Sequence, residues 1–217
     1  RALSLDPDDP LALAARARFL VDFEGNLEGG LADLTRATEL APGSSSMWND
    51  LGLLQDARGA TRAAEAALIR GIELDPESPI GHANLAIFYL DQSRMKEAKR
   101  EIDLAIAADP AFSFALLARG RYYLQTGDLE KGVDDMLAAS TANPGHSQSQ
   151  LLLAAAYYES GAREPADQAL DNADRLDKND PVISSMRTSI AIDDYDAEGA
   201  IENAQEFLRR SRAQGGH

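Results

Sequence analysis

Residues 45–78 read Ser-Ser-Met-Trp-Asn-Asp-Leu-Gly-Leu-Leu-Gln-Asp-Ala-Arg-Gly-Ala-Thr-Arg-Ala-Ala-Glu-Ala-Ala-Leu-Ile-Arg-Gly-Ile-Glu-Leu-Asp-Pro-Glu-Ser. Ser45 or Ser46 offers an N-cap, after which Trp48, Leu51, Gly52 and Gln55 recur at helical spacing. Gly59 then breaks the helix, as a residue tolerant of positive φ does. A second helix follows through Ala64, Leu68, Gly71 and Ile72, and Asp75-Pro76 ends it, because the residue before a proline is pushed out of the α region. The stretch is therefore two helices of roughly 12–15 residues joined by a tight turn.

The same sentence recurs along the chain. Small residues stand at Gly30, Ala64, Ala98, Gly132, Ala166 and Ala200, each 34 after the last. Parallel ladders run Ala37, Gly71, Ala105, Ala139, Ala173 and Leu34, Leu68, Ile102, Met136, Leu170, while Pro42, Pro76, Pro110 and Pro144 punctuate the ends. The turn ladder is Gly25, Gly59, Ser93, Gly127, Gly161. Asp9-Pro10, Ser78-Pro79 and Asp180-Pro181 each set a capping residue before a proline at the first helical position. A fixed period of this size means stacked units, not one globular core. Gly52, Ala86, Gly120 and Ala154 let the first helix of a unit approach its partner, and Ala64 with its equivalents lets the second nest against its neighbours.

The pattern resembles the tetratricopeptide repeat family, whose signature is an aromatic, leucine, glycine and tyrosine on the first helix and alanine, a bulky residue, alanine and proline on the second. Here it appears as Trp48, Leu51, Gly52, Ala64, Leu68, Gly71, Pro76. It returns as Leu85, Ala86, Tyr89, Ala98, Ile102, Ala105, Pro110, and again as Gly120, Tyr123, Gly132, Met136, Ala139, Pro144. Residues 147–180 give Leu153, Ala154, Tyr157, Ala166, Leu170 and Ala173, with Lys178 in place of the proline. The resemblance implies an all-α, right-handed α-solenoid of stacked antiparallel helix pairs. Six pairs are expected, at 11–44, 45–78, 79–112, 113–146, 147–180 and 181–214, after a tail of a preceding repeat in residues 1–10 and before a short tail at 215–217. The first and last depart from the pattern. Arg18 falls in the small slot and Val21 in the tyrosine slot, while Thr188, Ala191, Tyr195, Phe207 and Arg212 replace the later signature residues. Terminal repeats are often atypical because one face meets water.

Charged residues make up 26% and hydrophobic ones 44%, enough apolar material for a core. The net charge of −15 disfavours nucleic acid and anionic membrane surfaces as partners. With no cysteine, disulfides, thiolate metal sites and thiol catalysis are excluded, and the composition fits cytosol and periplasm alike. No apolar run approaches the ~18 residues of a membrane span. The chain opens on Arg1, and Ala2–Pro7 resembles Gly71–Pro76, which reads as a piece of a longer protein.

Motifs of chemistry are missing. His82 stands in the Trp48 slot as a packed residue, His146 lies in a connection, His217 is terminal, and no pair has metal-binding spacing. Gly127–Gly132 begins like a phosphate loop, but Val133 and Asp134 follow where Lys-Ser/Thr is needed, and the repeat explains both glycines. There is no nucleophile elbow, and adjacent acids such as Asp134-Asp135 are expected by chance on so acidic a surface. The sequence points to no cofactor, no metal and no enzyme.

In the resembled family, first helices line the concave side and ligands lie there. Carried over slot by slot, that face holds Phe19, Leu53, Ile87 and Arg121 on one ridge and Asp56, Leu90, Leu124 and Tyr158 on the next. Leu117, Asn49 and Asn84 stand beside them. An apolar strip with a few polar groups suits an extended peptide or an amphipathic helix of a partner protein. Asn49 and Asn84 could hold its backbone and Arg121 a carboxylate, unless several leucines pack against second helices instead. Only Asn84 matches the chaperone-tail clamp of some family members, so a cochaperone role is not expected. The leading expectation is a non-catalytic adaptor. The alternative is a scaffold or spacer that self-associates through the apolar end around Phe207. Arginine outnumbering lysine suits a bacterial genome, and bacterial arrays of this kind often serve envelope assembly or polysaccharide export.

Since the small slots set the spacing between helices, Ala98→Trp is expected to destabilise the protein by about 1–3 kcal/mol through overpacking, read as a lower midpoint of chemical denaturation.

Overall fold

A computed structural model describes residues 7–215, and among them there are twelve α-helices and no strand. They are α1 (Pro10–Glu24), α2 (Leu27–Leu40), α3 (Ser45–Ala57), α4 (Thr61–Leu74), α5 (Pro79–Asp91), α6 (Met95–Ala108), α7 (Ser113–Thr126), α8 (Leu129–Ala142), α9 (Ser147–Glu159), α10 (Arg163–Leu176), α11 (Pro181–Asp193) and α12 (Ala197–Gly215). The expected tail of a preceding repeat lies largely outside the described residues, as do Gly216 and His217.

Two compact units divide the chain, Arg1–Pro110 and Ala111–His217, each built of three helical hairpins. In the first, α1 pairs with α2, α3 with α4 and α5 with α6; α3 also packs on α2 and α5 on α4, and α3 touches α5. In the second, α7 pairs with α8, α9 with α10 and α11 with α12; α9 also packs on α8 and α11 on α10, and α9 touches both α7 and α11. This is the all-α solenoid architecture of stacked helix pairs.

The ladders explain the packing. Leu34, Leu68, Ile102, Met136 and Leu170 are all buried, and so are Ala37, Gly71, Ala105, Ala139 and Ala173 beside them. A Cβ on Gly52 would stand 2.7 Å from Leu68 Cγ, one on Gly71 3.1 Å from the Ser45 carbonyl, and one on Gly132 2.5 Å from Leu124 Cδ2. A left-handed residue stands in all six turns, at Gly25, Gly59, Ser93, Gly127, Gly161 and Tyr195. Four are glycines. Ser93 and Tyr195, at φ 56° and 58°, hold a conformation that side chains oppose.

Caps follow the chemistry with one change. Asp9 Oδ1 accepts from Leu11 N at 3.0 Å, Ser78 Oγ from Gly81 N at 3.3 Å and Asp180 Oδ1 from Val182 N at 2.8 Å. In the second hairpin, however, the N-cap is Ser44, not Ser45 or Ser46, which are already helical.

The first helix departs from the 34-residue frame. Its N-cap, Asp9, sits one position earlier than Ser44 and Ser78 require, so every equivalent on α1 moves by one. Two bidentate ion pairs record the slip. Arg16 grips Asp33 at 2.5 and 2.6 Å across a separation of 17, and Arg119 grips Asp135 at 2.7 Å twice across a separation of 16. Ala17 consequently fills the small slot, fully buried, whereas Arg18, expected there, is exposed.

Trp48 Nε1 donates to the Pro42 carbonyl at 3.0 Å, and His82 Nε2 stands 3.0 Å from the Pro76 carbonyl in the same slot. His82 adds a second acceptor: Nδ1 lies 2.7 Å from Glu101 Oε2, with both side chains buried. A ring with an acceptor at each nitrogen is best satisfied as the imidazolium. The Glu101 bond, followed by burial acting in the opposite sense and then the Pro76 carbonyl, leaves the His82 pKa raised. In the last hairpin Arg210 is buried and bonds Asp174 Oδ1 at 2.7 Å and Glu206 Oε1 at 2.8 Å, while Ile201, Phe207 and Leu208 are exposed.

Because Tyr195 is 95% exposed, its ring contributes no packing, and Tyr195→Gly is expected to raise stability by about 0.5–1 kcal/mol, measured by urea denaturation. A folded His82 pKa above the ordinary value means stabilisation that is complete below about pH 6.5 and lost as pH rises through the raised value. His82→Gln should therefore cost about 2 kcal/mol near pH 6, with the gap to wild type narrowing at alkaline pH in parallel denaturation series.

Candidate interaction site

In the first unit, two clefts open between the first helices of successive hairpins. One, of about 200 Å³, is walled by Ala14, Arg18 and Asp22 of α1 and by Asp50, Leu53 and Leu54 of α3. The other, of about 340 Å³, lies among Asn49 and Asp50 of α3, Gly71 and Asp75 at the end of α4, and Ile80 at the start of α5. Arg18 and Asp50 line both, and their ion pair spans 3.7 Å with Arg18 well exposed. Burial raises the Asp50 pKa, with Arg18 and a bond from Asn49 pulling the other way. Asp56 is also raised, by burial and by the nearby charge of Asp91.

The two asparagines on this face meet each other: Asn84 Nδ2 donates to Asn49 Oδ1 at 3.2 Å, and both are buried. They join α3 to α5, so the bidentate grip on a peptide expected of them is at least partly spent inside the protein. Leu53 is 41% exposed and faces the first cleft. Ile87 is half-buried, as is Asp56. Leu90, at 2% exposure, belongs to the interior, which corrects its expected place on the open strip. Phe19 is 50% exposed but stacks on Phe23, with ring centres 5.3 Å apart, and is not among the residues that wall the cleft. The one-residue slip of α1 puts Arg18 there instead.

The second unit treats its part of the face differently. Leu117 is 3% exposed and buried on α7. Leu124 lies against Gly132, filling the space a Cβ would need, so it seals α7 to α8. The Tyr158 hydroxyl donates to Asp193 on α11, and the Arg163 guanidinium lies 4.3 Å over its ring, which fixes Tyr158 in a seam between α9 and α11. Arg121 is half-buried on α7. The residues missed from sequence are Arg18 and Asp50. The available signal was Asp9-Pro10, a cap one position out of phase with Ser78-Pro79.

Among the described residues, no group of three or more His, Asp or Glu side chains could hold a metal ion, and no helix is long and apolar enough to cross a membrane.

No family model matches the chain. It is 28% identical over 209 residues to cellulose synthase operon protein C of Xanthomonas axonopodis pv. citri, a match over 93% of this chain that spans only 13% of that protein. It is 26% identical over 171 residues to the type IV pilus assembly protein PilF of Pseudomonas aeruginosa, covering 73% of this chain and 67% of PilF. The PilF structure superposes with a TM-score of 0.67 over 96% of this chain and 97% of PilF, at 17% identity. The Cut9–Hcn1 hetero-tetramer of the APC/C gives a TM-score of 0.82 over 96% of this chain and 41% of the matched one, at 14% identity. YrrB, a TPR protein with an unusual peptide-binding site, gives 0.51 over 84% and 93%, at 18% identity. With the in-register ladders, the six left-handed turn residues and the paired helices, these likenesses show that the chain has the tetratricopeptide-type fold of stacked helix pairs.

Proposed function

We propose that this chain is a non-catalytic interaction module whose first unit holds a segment of a partner protein in the clefts between α1, α3 and α5. The observation that carries the reading is Leu53, an apolar side chain left open on the wall of a cleft that also presents Arg18 and Asp50. An aliphatic anchor beside a few polar groups is what a bound segment requires. The description of YrrB as having a peptide-binding site supports the same use of this fold. Of the residues expected to line the groove, Leu53 and Asn49 wall these clefts, joined by Arg18 and Asp50, while Ile87, Asp56 and Asn84 lie outside their walls. Leu90, Leu117 and Leu124 serve as packing behind the face.

A second reading is favoured by the sequence relatives. One is a cellulose synthase operon protein and the other a pilus assembly protein, so the array could be a structural segment of a bacterial envelope or polysaccharide-export assembly. The exposed Ile201, Phe207 and Leu208 on α12 would then serve self-association or contact with a neighbouring domain. Sedimentation of the isolated chain separates the two, since a monomer at all concentrations removes self-association.

Peptides selected from a random displayed library against the wild-type chain are expected to bind Leu53→Asp at least about tenfold more weakly, a loss of about 1.4 kcal/mol. An exposed site predicts a change in folding stability of only about 0.5 kcal/mol, checked by thermal denaturation. Undiminished binding to Leu53→Asp would remove the cleft as the site.

A further inference from the structure

Resting on that reading, we infer that the segment held by the first unit is basic: a lysine or arginine next to a leucine-sized side chain, its cation taking the place of Arg18 at Asp50. The charges on the walls decide the sign. The two clefts carry three carboxylates, Asp22, Asp50 and Asp75, against a single cation, Arg18. Beyond them stands Asp56, whose pKa is raised by burial and then by the charge of Asp91. A whole-chain charge of −15 steers cations in the same direction.

Asp50 is the carboxylate with most to gain. Two buried acids elsewhere in the protein are gripped bidentately, Asp33 by Arg16 and Asp135 by Arg119. Asp50, half-buried, has its cation at 3.7 Å, beyond hydrogen-bond length, on an exposed arginine whose ion pair contributes little in water. A ligand cation arriving with an apolar neighbour can bond Asp50 at close range in a site that the ligand itself dries, where a charge-assisted bond is stronger. Leu53, on the same cleft wall one helical turn further along α3, takes the aliphatic part. Arg18 then acts as a displaceable plug between the clefts, and swings into solvent when the ligand is bound.

The test uses three labelled synthetic peptides in which leucine alternates with lysine, with glutamate or with glutamine, titrated with the chain and read by fluorescence anisotropy. The lysine peptide is expected to bind best, with an affinity that falls steeply with salt. Asp50→Asn should weaken it about tenfold, whereas Asp103→Asn, which removes the same charge from the exposed face of α6, should not. Arg18→Gln should tighten binding several-fold by vacating Asp50. A preference for the glutamate or glutamine peptide, equal effects of the two aspartate substitutions, or weaker binding of the lysine peptide to Arg18→Gln would each overturn the inference. If Leu53→Ser, which removes the apolar anchor and adds no charge, still weakens binding in those cases, the cleft reading survives and only its charge is wrong. If Leu53→Ser leaves all three peptides unaffected, or none binds, both fall.

Discussion

The close approach of paired helices at glycine and alanine is the constraint on which everything else rests. Gly52 sits where a methyl group would strike Leu68, and Gly71 where it would press on the backbone of α3. At that spacing the large ladder residue of the first five second helices, Leu34, Leu68, Ile102, Met136 or Leu170, is buried in the seam. Each hairpin buries too little alone, so the next first helix must cover it, and stacking follows from the same geometry. The left-handed turn residue makes the hairpin tight enough for this, and it is held even where serine or tyrosine has to adopt it.

A second layer of organisation is polar. First helices of neighbouring hairpins are tied to one another by side chains 35 positions apart, Asn84 to Asn49 in the first unit and Tyr158 to Asp193 in the second. One residue more than the period brings the two side chains face to face. These bridges use up polar groups that would otherwise be free for a ligand. The face is also less apolar than the sequence suggests, since Leu90 and Leu117 are buried. What is left open in the first unit is small: Leu53, the loosely paired Arg18 and Asp50, and the two clefts they separate.

The buried acids on the second helices show how one slot can be satisfied in different ways. Asp33 and Asp135 are each held by an arginine from the preceding helix, while Glu101 is held by His82 and by Arg100. An arginine keeps its charge at any pH the protein meets, so those two pairs are insensitive to it. The histidine pair is not, so the packing of the third hairpin weakens as pH rises through the raised His82 pKa.

Helix number, hairpin pairing, the turn ladder and the small-residue seams could all be read from residues 45–78 and their echoes, because each depends on local backbone preference and on side-chain volume at a fixed interval. The identity of the exposed face could not. Leu53 and Leu90 fall on adjacent ridges of the expected strip, yet one is 41% and the other 2% exposed. Likewise Phe19 and Arg18 differ by one position, and the slip that exchanges them arises where a cap at Asp9 starts α1 early while Gly25 still ends it. A helix turns by about 100° per residue, so an offset of one is enough to swap an aromatic ring for a guanidinium on a cleft wall. Sequence alone thus determined the repeat and its core, through spacing and size; which side chains are left facing a partner was decided only when the helices packed, because exposure belongs to the assembled surface and not to any one segment.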